Sequence, residues 1–140
     1  MDSLRNPFVR KVVDTYNGHR VEAFDELLTD DCVLVRNGVE AVGREEVKRV
    51  LANLYSAFPD IEYTVDDVLV SDEKMALRWH GQGTHLGEYL GLAASGRPVS
   101  YDGITVYELR GDRVARIFVS ANLLGLVRTL LSSPQPEANA

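Results

Sequence analysis

The sequence predicts an α+β domain in which N-terminal helices gather on one face of a long, curved antiparallel sheet. Three observations lead to this prediction. The chain has 140 residues, 45% hydrophobic and 26% charged, which is the balance of a single globular domain. Apolar residues recur at spacings of three and four as far as Pro59, and at a spacing of two from Asp60 onward, so helices precede strands. A sheet curved around helices forms a cone, and the cone predicts a deep apolar pocket of small-molecule size.

The first helix is predicted to begin after Asn6 and to end at Asn17-Gly18. Asn6 is a favoured helix cap, and Pro7 suits the first helical position because its missing N–H is not needed there. The apolar residues that follow form one stripe, which indicates an amphipathic helix. A second, shorter amphipathic stretch is expected over residues 20–28.

A buried strand is predicted over residues 32–35, which form a short apolar run. The clearest helix opens at Gly43 and is stopped by Pro59, and its apolar positions form a wide buried face. A short closing helix is expected over residues 123–131. The domain is therefore predicted to span residues 1–131, with a frayed tail over residues 132–140.

Four long strands are predicted after Asp60, where the spacing of the apolar residues changes to two. They are predicted over residues 62–70, 74–85, 99–109 and 113–121, with turn signals between them. Residues 86–98 form a loop rich in glycine and small residues. A mobile connection and a lid over the pocket are both consistent with this loop.

Charge and cysteine content narrow the choice of partners and compartment. Fifteen Lys and Arg against twenty-one Asp and Glu give a net charge of −6, which is the wrong sign for binding a phosphate backbone. The single cysteine, Cys32, allows no internal disulfide. No apolar run approaches the roughly 18 residues of a membrane span, and the first residues lack the order of a signal peptide. A cytoplasmic protein that binds neither nucleic acid nor membrane is predicted.

The sharp catalytic signatures are absent from the sequence. It contains no phosphate-binding glycine loop, no dinucleotide fingerprint and no paired metal-binding histidines on a helix. His80 and His85 lie five residues apart on one predicted strand, so they point to opposite faces and do not bind one metal together. No metal and no cofactor are expected. Arg110-Gly111-Asp112 is interpreted as a hairpin turn.

Two ionisable residues are candidates for acid/base chemistry. His80 is a candidate acid, base or hydrogen-bond donor, but alternation alone leaves open which face of its strand looks inward. Asp102 interrupts a strand pattern. It could be a base with a raised pKa if buried, or a residue of the outer face. Both alternatives stay open for each residue.

Five short motifs stand in order along the chain: Phe58–Asp60, Ala76–Gly87, Leu90–Leu92 with Ser95–Arg97, Gly103–Tyr107 and Leu124–Leu126. Their order and spacing, over about residues 5–131, resemble those of the SnoaL-like polyketide cyclases of the nuclear-transport-factor-two-like superfamily. The resemblance implies a cone-shaped α+β fold with a deep pocket, usually as a homodimer. It also implies a hydrophobic polyketide intermediate as substrate. Members include aldol cyclases, hydroxylases, epoxide hydrolases and ring-forming enzymes of polyether pathways.

The sequence departs from the pattern of the family's aldol cyclases. Those enzymes use an aspartate on the last strand and a histidine on the neighbouring strand, and the matching positions here are Val119 and Thr105. Leu34 matches a position that is often polar, and Asn122 matches one that is often acidic. An aldol reaction needs a base, and losing a positioned base costs about 10²- to 10⁴-fold in rate. The standard family chemistry is therefore not expected.

A dry cavity suits a reaction with little charge development. Holding a flexible chain in a near-attack conformation can lower a barrier by up to about 7–11 kcal/mol without an ionisable catalyst. We therefore expect a cycloaddition of the Diels–Alder type, assisted by one hydrogen bond to the substrate. The candidate catalytic residues are Tyr16, His80, Asp102 and Tyr107. The candidate substrate-binding residues are Leu34, Tyr55, Phe58, Trp79, Tyr101, Thr105 and Val119.

Two other functions remain open. Asp102 and His80 could open an epoxide or promote a proton shift by acid/base chemistry. Alternatively, the domain could bind a hydrophobic ligand without converting it, because pocket-bearing folds need not be enzymes. Whether the substrate arrives free or on a carrier is also open.

A homodimer is expected because both faces of the last two strands carry apolar residues. Ile104, Val106 and Phe118 alternate with Thr105 and Val119, so one of the two sets lies on the outer face of the sheet.

Overall fold

Four helices and six strands make up the fold, and the strands form one curved sheet. The computed structural model describes residues 6–132. The elements are α1 (Pro7–Asn17), a 3₁₀ turn (Val21–Ala23), α2 (Phe24–Leu27), β1 (Leu28–Arg36), β2 (Val39–Val42), α3 (Arg44–Ala57), β3 (Glu62–Val70), β4 (Lys74–Thr84), β5 (Pro98–Arg110), β6 (Arg113–Ala121) and α4 (Leu123–Leu131). This is the α+β architecture that the sequence predicts.

The order of strands in the sheet is β2-β1-β6-β5-β4-β3. All neighbouring strands pair antiparallel except β1 and β6, which run parallel. Because side chains alternate along each strand, every second residue faces the helices and the others face outward. The two faces carry different chemistry, and this difference fixes the position of the site.

Helix α1 forms for the reasons that its sequence indicates. The Asn6 side chain accepts hydrogen bonds from the backbone N–H of Phe8 and Val9, at 2.8 and 3.3 Å. Val9 and Val12 are buried against the sheet. At the other end, Asn17 ties the helix to β3, since its side chain donates to the carbonyl of Tyr63 and accepts from its N–H.

Helix α3 supplies the second layer of the core. Val47, Leu51 and Leu54 form its buried stripe, and the helix ends before Pro59 as predicted. With α1, this helix covers the inner face of the sheet. The outer face has no covering element among the residues that the structure describes.

The region between α1 and α3 differs from the prediction. The stretch 20–28 forms a 3₁₀ turn and one turn of α-helix rather than one helix, and β1 is nine residues long rather than four. Strand β2 is not predicted at all. It pairs with β1 through the turn Asn37-Gly38, whose φ angles of 48° and 86° are both positive. A two-residue hairpin turn requires these conformations, and Asn-Gly adopts them most readily.

The predictions for the second half of the chain are confirmed to within a residue at each boundary. Residues Gly111 and Asp112 form the hairpin turn between β5 and β6, with Gly111 at a φ of 65°. Residues 133–140 of the predicted tail lie outside the described part of the chain. No helix within residues 6–132 has both the length and the apolar character that crossing a bilayer requires.

Candidate functional site

A cavity lies between the inner face of the sheet and the two long helices. Strands β1 and β3 to β6 form one side of it, and α1 and α3 form the other. The helical side is entirely aliphatic apart from Tyr16, and consists of Val12, Val13, Val47, Val50, Leu51 and Leu54. The sheet side carries the aromatic and polar groups. Any chemistry that the cavity performs therefore depends on the sheet, on Tyr16 and on Tyr89 of the loop between β4 and β5.

The free space in this cavity is small. The centre of a water-sized sphere can move through about 80 Å³ of it, whereas ligand pockets typically measure roughly 300–1,000 Å³. The lining is as apolar as the sequence predicts, but side chains fill much of the cone. A slender apolar group fits as the walls stand, and a bulkier substrate requires them to move apart.

Aromatic rings fill the end of the cavity next to β3. Tyr63 is in edge-to-face contact with both Trp79 and Tyr16, with ring centroids 5.3 and 6.0 Å apart. Tyr101 packs edge-to-face on Trp79 at 5.4 Å. The phenol oxygens of Tyr63 and Tyr101 are hydrogen-bonded at 2.9 Å. One of these two O–H groups donates to the other, so the second O–H is free to donate to a ligand.

Two glycines leave the space that these rings occupy. A Cβ atom at Gly81 would lie 2.8 Å from the Tyr63 ring, and one at Gly103 would lie 2.6 Å from the Trp79 ring. Real Cβ atoms do not approach other heavy atoms so closely. The glycines of the motifs 76–87 and 103–107 thus have a packing role, because they let the aromatic rings lie flat on the sheet.

A second pair of phenols lies deeper, where α1 meets β5. Tyr107 is buried, and its phenol interacts with that of Tyr16. Tyr55 supports this pair from behind, since its phenol donates to the backbone carbonyl of Tyr16 at 2.7 Å. Tyr16 and Tyr107, two of the predicted catalytic residues, therefore lie together in the cavity wall.

The centre of the sheet side is a row of four residues on neighbouring strands. Leu77 pairs with Thr105, Thr105 with Val119, and Val119 with Arg36. Thr105 accepts a hydrogen bond from the indole N–H of Trp79 at 2.9 Å. The residues at the two positions where the resemblance places an acid/base pair thus lie side by side in the wall, and one of them, Thr105, accepts a hydrogen bond from Trp79.

Burial keeps four phenols of the cavity wall, those of Tyr16, Tyr63, Tyr101 and Tyr107, neutral over the ordinary pH range. Loss of hydration raises the pKa of Tyr101 to about 12. The same cause, reinforced by neighbouring phenols, raises the pKa of Tyr16 and Tyr63 well above the usual value of a phenol. Burial also raises the pKa of Tyr107. These groups act as hydrogen-bond donors near neutral pH, and none of them is a base.

The described lining contains no Asp, Glu or His. Its single charged residue is Arg36, at the end of β1. Residues 6–132 also contain no group of three His, Cys, Asp or Glu side chains placed to bind one metal ion. The wall therefore offers phenols, one hydroxyl, one indole and one guanidinium.

The structure decides between the alternatives that the sequence leaves open for His80 and Asp102. Both lie on the outer face of the sheet, where they are register partners on β4 and β5. His80 Nδ1 is 2.8 Å from a carboxylate oxygen of Asp66, and Asp102 is exposed. The inward face of β4 carries Leu77 and Trp79 instead. Neither residue is among the described residues that line the cavity.

The substrate-binding candidates divide in the same way. Leu34, Trp79, Tyr101, Thr105 and Val119 line the cavity. Tyr55 and Phe58 do not. Tyr55 lies behind Tyr16, and Phe58 is fully buried beneath Tyr89, with ring centroids 5.1 Å apart. These last two residues shape the wall without reaching the free space.

The loop between β4 and β5 closes one side of the cavity through Tyr89. Its two ends are paired. The backbone N–H of His85 donates to the carbonyl of Arg97, and the backbone N–H of Gly96 donates to the carbonyl of His85. The N–H groups of Leu86 and Gly87 both donate to the carbonyl of Ala57 at the end of α3. The loop is thus docked on the helix, and it contributes an aromatic ring to the site.

Sequence reasoning missed Arg36 and Tyr89 in the site. Arg36 follows an apolar run, and a longer strand β1 would have placed it on the same face as Leu34. The Asn37-Gly38 turn signal was the available evidence for that longer strand. Tyr89 lies in an irregular loop, for which periodicity gives no orientation.

Comparison with known families and structures is consistent with this geometry. The sequence model of the SnoaL-like polyketide cyclase family matches residues 7–130. Among curated proteins, no sequence matches the chain.

Three solved structures illustrate the likeness of fold. A proposed SnoaL-like polyketide cyclase from Jannaschia sp. CCS1 is 20% identical with a TM-score of 0.82, over 91% of this chain and 93% of the other. TsrD from Streptomyces laurentii is 26% identical with a TM-score of 0.80, over 94% and 97%. IdmH, a proposed polyketide cyclase from Streptomyces antibioticus, is 22% identical with a TM-score of 0.76, over 88% and 95%.

Proposed function

The chain belongs to the SnoaL-like polyketide cyclase family, and from this premise we propose that it is a cytoplasmic enzyme that closes a ring on a polyketide intermediate by cycloaddition. The observation that carries this proposal is the composition of the cavity wall. All described lining residues are apolar or neutral at pH 7 apart from Arg36, and no carboxylate or imidazole reaches the free space. Such a wall can position and polarise a substrate, but it supplies no base for enolate chemistry.

A Diels–Alder reaction needs no proton transfer. The four π electrons of a diene and the two of a dienophile become two new carbon–carbon σ bonds and one new C=C bond, and no atom leaves. The wall contributes by holding diene and dienophile in contact, an effect worth up to about 7–11 kcal/mol. A phenol that donates to a carbonyl on the dienophile lowers the barrier further, and the free O–H of the Tyr63–Tyr101 pair is placed for this role.

The pH profile of ring closure tests this mechanism. Purified protein is incubated with conjugated trienes that carry an internal unsaturated carbonyl, and the product is followed as an isomer of unchanged mass that has lost its diene absorbance. We expect turnover to vary by less than about twofold between pH 6 and pH 9, because the raised pKa values keep the cavity phenols neutral throughout. A decline is expected only above about pH 10, where phenols of the unfolded chain ionise more readily than the buried ones and stability falls.

A sigmoidal profile with a midpoint between pH 4 and pH 7 would contradict the mechanism, because it would require a carboxylate or an imidazole. The variant Asp102→Asn makes the distinction specific. Asp102 is exposed on the outer face, so the variant is expected to retain full turnover. A hundredfold loss in this variant would instead support acid/base chemistry by Asp102 with His80.

A second candidate function is the binding of a hydrophobic ligand without conversion. The small free space favours it, since a cavity of about 80 Å³ leaves little room for a chain to fold on itself. Stoichiometric binding of the same trienes, without any isomeric product after prolonged incubation, is the result that this function requires. Appearance of the isomer at a rate proportional to protein concentration excludes it.

A narrower proposal within the family is that this chain acts as the cyclase of an indanomycin pathway. A cycloaddition that forms an indane ring suits the neutral wall. At 22% identity, the likeness to IdmH supports a common fold. Conversion of the linear indanomycin precursor, compared with precursors of other ring types, would decide this narrower proposal.

We further propose that the protein is a homodimer that associates through the outer face of the sheet. Register places Leu69, Ala76, Val106, Phe118 and Val35 in one row across five strands of that face. Ile104, in the next row, is 50% exposed. A continuous apolar row of this kind is typically covered by a partner.

Sedimentation at micromolar concentration is expected to show a dimer, and Phe118→Glu is expected to convert it to a monomer. The exchange places a carboxylate at the centre of the proposed interface, where it would lose its hydration. Leu124→Glu serves as the control, since Leu124 is exposed on α4 and away from this face. A monomeric parent protein would exclude the dimer.

A further inference from the structure

Arg36 is a cation without a counterion at the edge of an uncharged cavity. It is half-buried, and among residues 6–132 no carboxylate forms a salt bridge with it. Every other described residue of the wall is neutral at pH 7. Placing an unpaired charge against an apolar wall is costly, and proteins normally pair such charges.

The backbone around Arg36 is held firmly. Asn37, the next residue, donates from its side-chain amide to the carbonyl of Ala121 and accepts from the N–H of Ala121, both at 2.9 Å. The N–H of Asn37 also donates to the carbonyl of Val119. These three bonds fasten the end of β1 to the end of β6. The backbone on both sides of the turn is therefore fixed next to Arg36, whose side chain lines the cavity.

Arg36 is adjacent to the reactive part of the wall. It is the register partner of Val119, which is itself the partner of Thr105, and neighbouring strands lie about 4.8 Å apart. Its charge also acts on the Tyr101 phenol, where it lowers the pKa against the larger effect of burial. A guanidinium and the phenol pair thus face the same volume, and together they offer a charge-assisted donor set for two oxygens.

We propose that Arg36 binds a carboxylate that is attached directly to the apolar chain of the substrate. This inference rests on the proposed function and specifies its substrate class as a free acid. A carboxylate accepts two parallel hydrogen bonds from a guanidinium, which neither a neutral ester nor an alcohol does. The position of Arg36 in the wall favours a carboxylate over the phosphate of a carrier arm, because that phosphate is separated from the acyl chain by many bonds.

The test uses Trp79, the single tryptophan of the chain, as its reporter. Trp79 lines the cavity, so a conjugated diene that enters it quenches the indole fluorescence. The probes are 2,4-decadienoic acid, its methyl ester and its phosphopantetheine thioester. For the parent protein at pH 7.5, we expect the acid to bind at least tenfold more tightly than the ester, and the thioester no more tightly than the ester.

The variant Arg36→Gln is expected to reduce the preference for the acid over the ester to less than about twofold, by weakening acid binding alone. Arg113→Gln is the matched control. Arg113 is exposed at the start of β6 and outside the cavity lining, so the variant removes the same charge and should keep the full preference. Melting temperatures of both variants verify the fold, and Arg36→Gln should melt no lower than the parent because it removes an unpaired half-buried cation.

Four results would overturn the proposal that Arg36 binds the carboxylate of the substrate. They are equal binding of acid and ester by the parent protein, no quenching by either probe, an unchanged preference for the acid in Arg36→Gln, and tightest binding of the thioester that is lost in Arg36→Gln. The last result would assign the phosphate to Arg36 instead. Turnover is not part of this readout. A preference for the acid that depends on Arg36 would support carboxylate binding by Arg36 even if no triene were converted. The isomer assay alone decides the proposed function.

Discussion

Val119→Phe is expected to slow ring closure by at least about 100-fold and to weaken binding of a diene in the cavity. Val119 lies in the middle of the row that joins Leu77, Thr105 and Arg36, and the free space in front of this row is only about 80 Å³. An aromatic ring at this position fills that space. Displacing a substrate by about 1 Å can already cost roughly 100-fold in rate, so we expect turnover to fall by at least that factor.

Fluorescence of Trp79 separates exclusion of the ligand from loss of chemistry. In Val119→Phe, the quenching by 2,4-decadienoic acid should require at least about tenfold more probe, because the probe and the new ring compete for one volume. Val119 is half-buried, and overpacking typically costs about 1–3 kcal/mol, so the variant should still fold. Val70→Phe is the control, since Val70 is exposed at the end of β3 and outside the cavity. Turnover within about threefold of the parent protein in a folded Val119→Phe would place the reaction elsewhere.

The global fold could be predicted from the sequence because its signals are local. The cap at Asn6 and the stop at Pro59 bound helices whose apolar stripes have one spacing throughout. The second half of the chain alternates with a spacing of two, and Gly111 allows the tight turn between its last two strands. Each of these features needs only a few neighbouring residues to be recognised.

The cavity could be predicted only in part, because its composition depends on which face of each strand turns inward. Alternation shows that Trp79 and His80 point in opposite directions, but the choice between them follows from packing against α1 and α3. Here Trp79 faces the cavity, and His80 faces outward, where it contacts Asp66. The bulge in β3 that carries Asp66 was not visible in the pattern, so the partner of His80 on the outer face was not visible either.

The size of the cavity could not be predicted from residue types. Tyrosine and tryptophan are equally suited to lining a large hollow and to filling a small one. Glycines decide between the two outcomes here, since Gly81 and Gly103 let the rings of Tyr63 and Trp79 lie against the sheet. Sequence reasoning identified these glycines as family motifs, and only the coordinates assign them a packing role.

A second large effect is expected at the loop that closes the cavity. Gly87 lies against the end of α3, and a Cβ atom there would overlap the backbone carbonyl oxygen of Ser56. That oxygen belongs to the helix and cannot rotate away as a side chain does. Gly87→Ala must therefore either shift the helix end or break the two hydrogen bonds that Leu86 and Gly87 donate to Ala57.

We expect Gly87→Ala to lower the free energy of unfolding by about 2–3 kcal/mol, at the upper end of the range for overpacking. For a chain of this size the change corresponds to a melting temperature about 5–10 °C lower. Leu86→Ala is the control, because that side chain is 55% exposed while its backbone makes the same contact with α3. Its unfolding free energy should stay within about 0.5 kcal/mol of that of the parent protein.

The position of Tyr89 links this loss of stability to the site. If the loop detaches from α3 in Gly87→Ala, Tyr89 leaves the cavity wall and its packing on Phe58, and the loop becomes a substrate for proteases. Cleavage of the variant within residues 86–97, at protease levels that leave the parent protein and Leu86→Ala intact, is the expected result. Equal resistance of all three proteins, together with unchanged stability, would show that the close approach of Gly87 to Ser56 does not hold the loop in place.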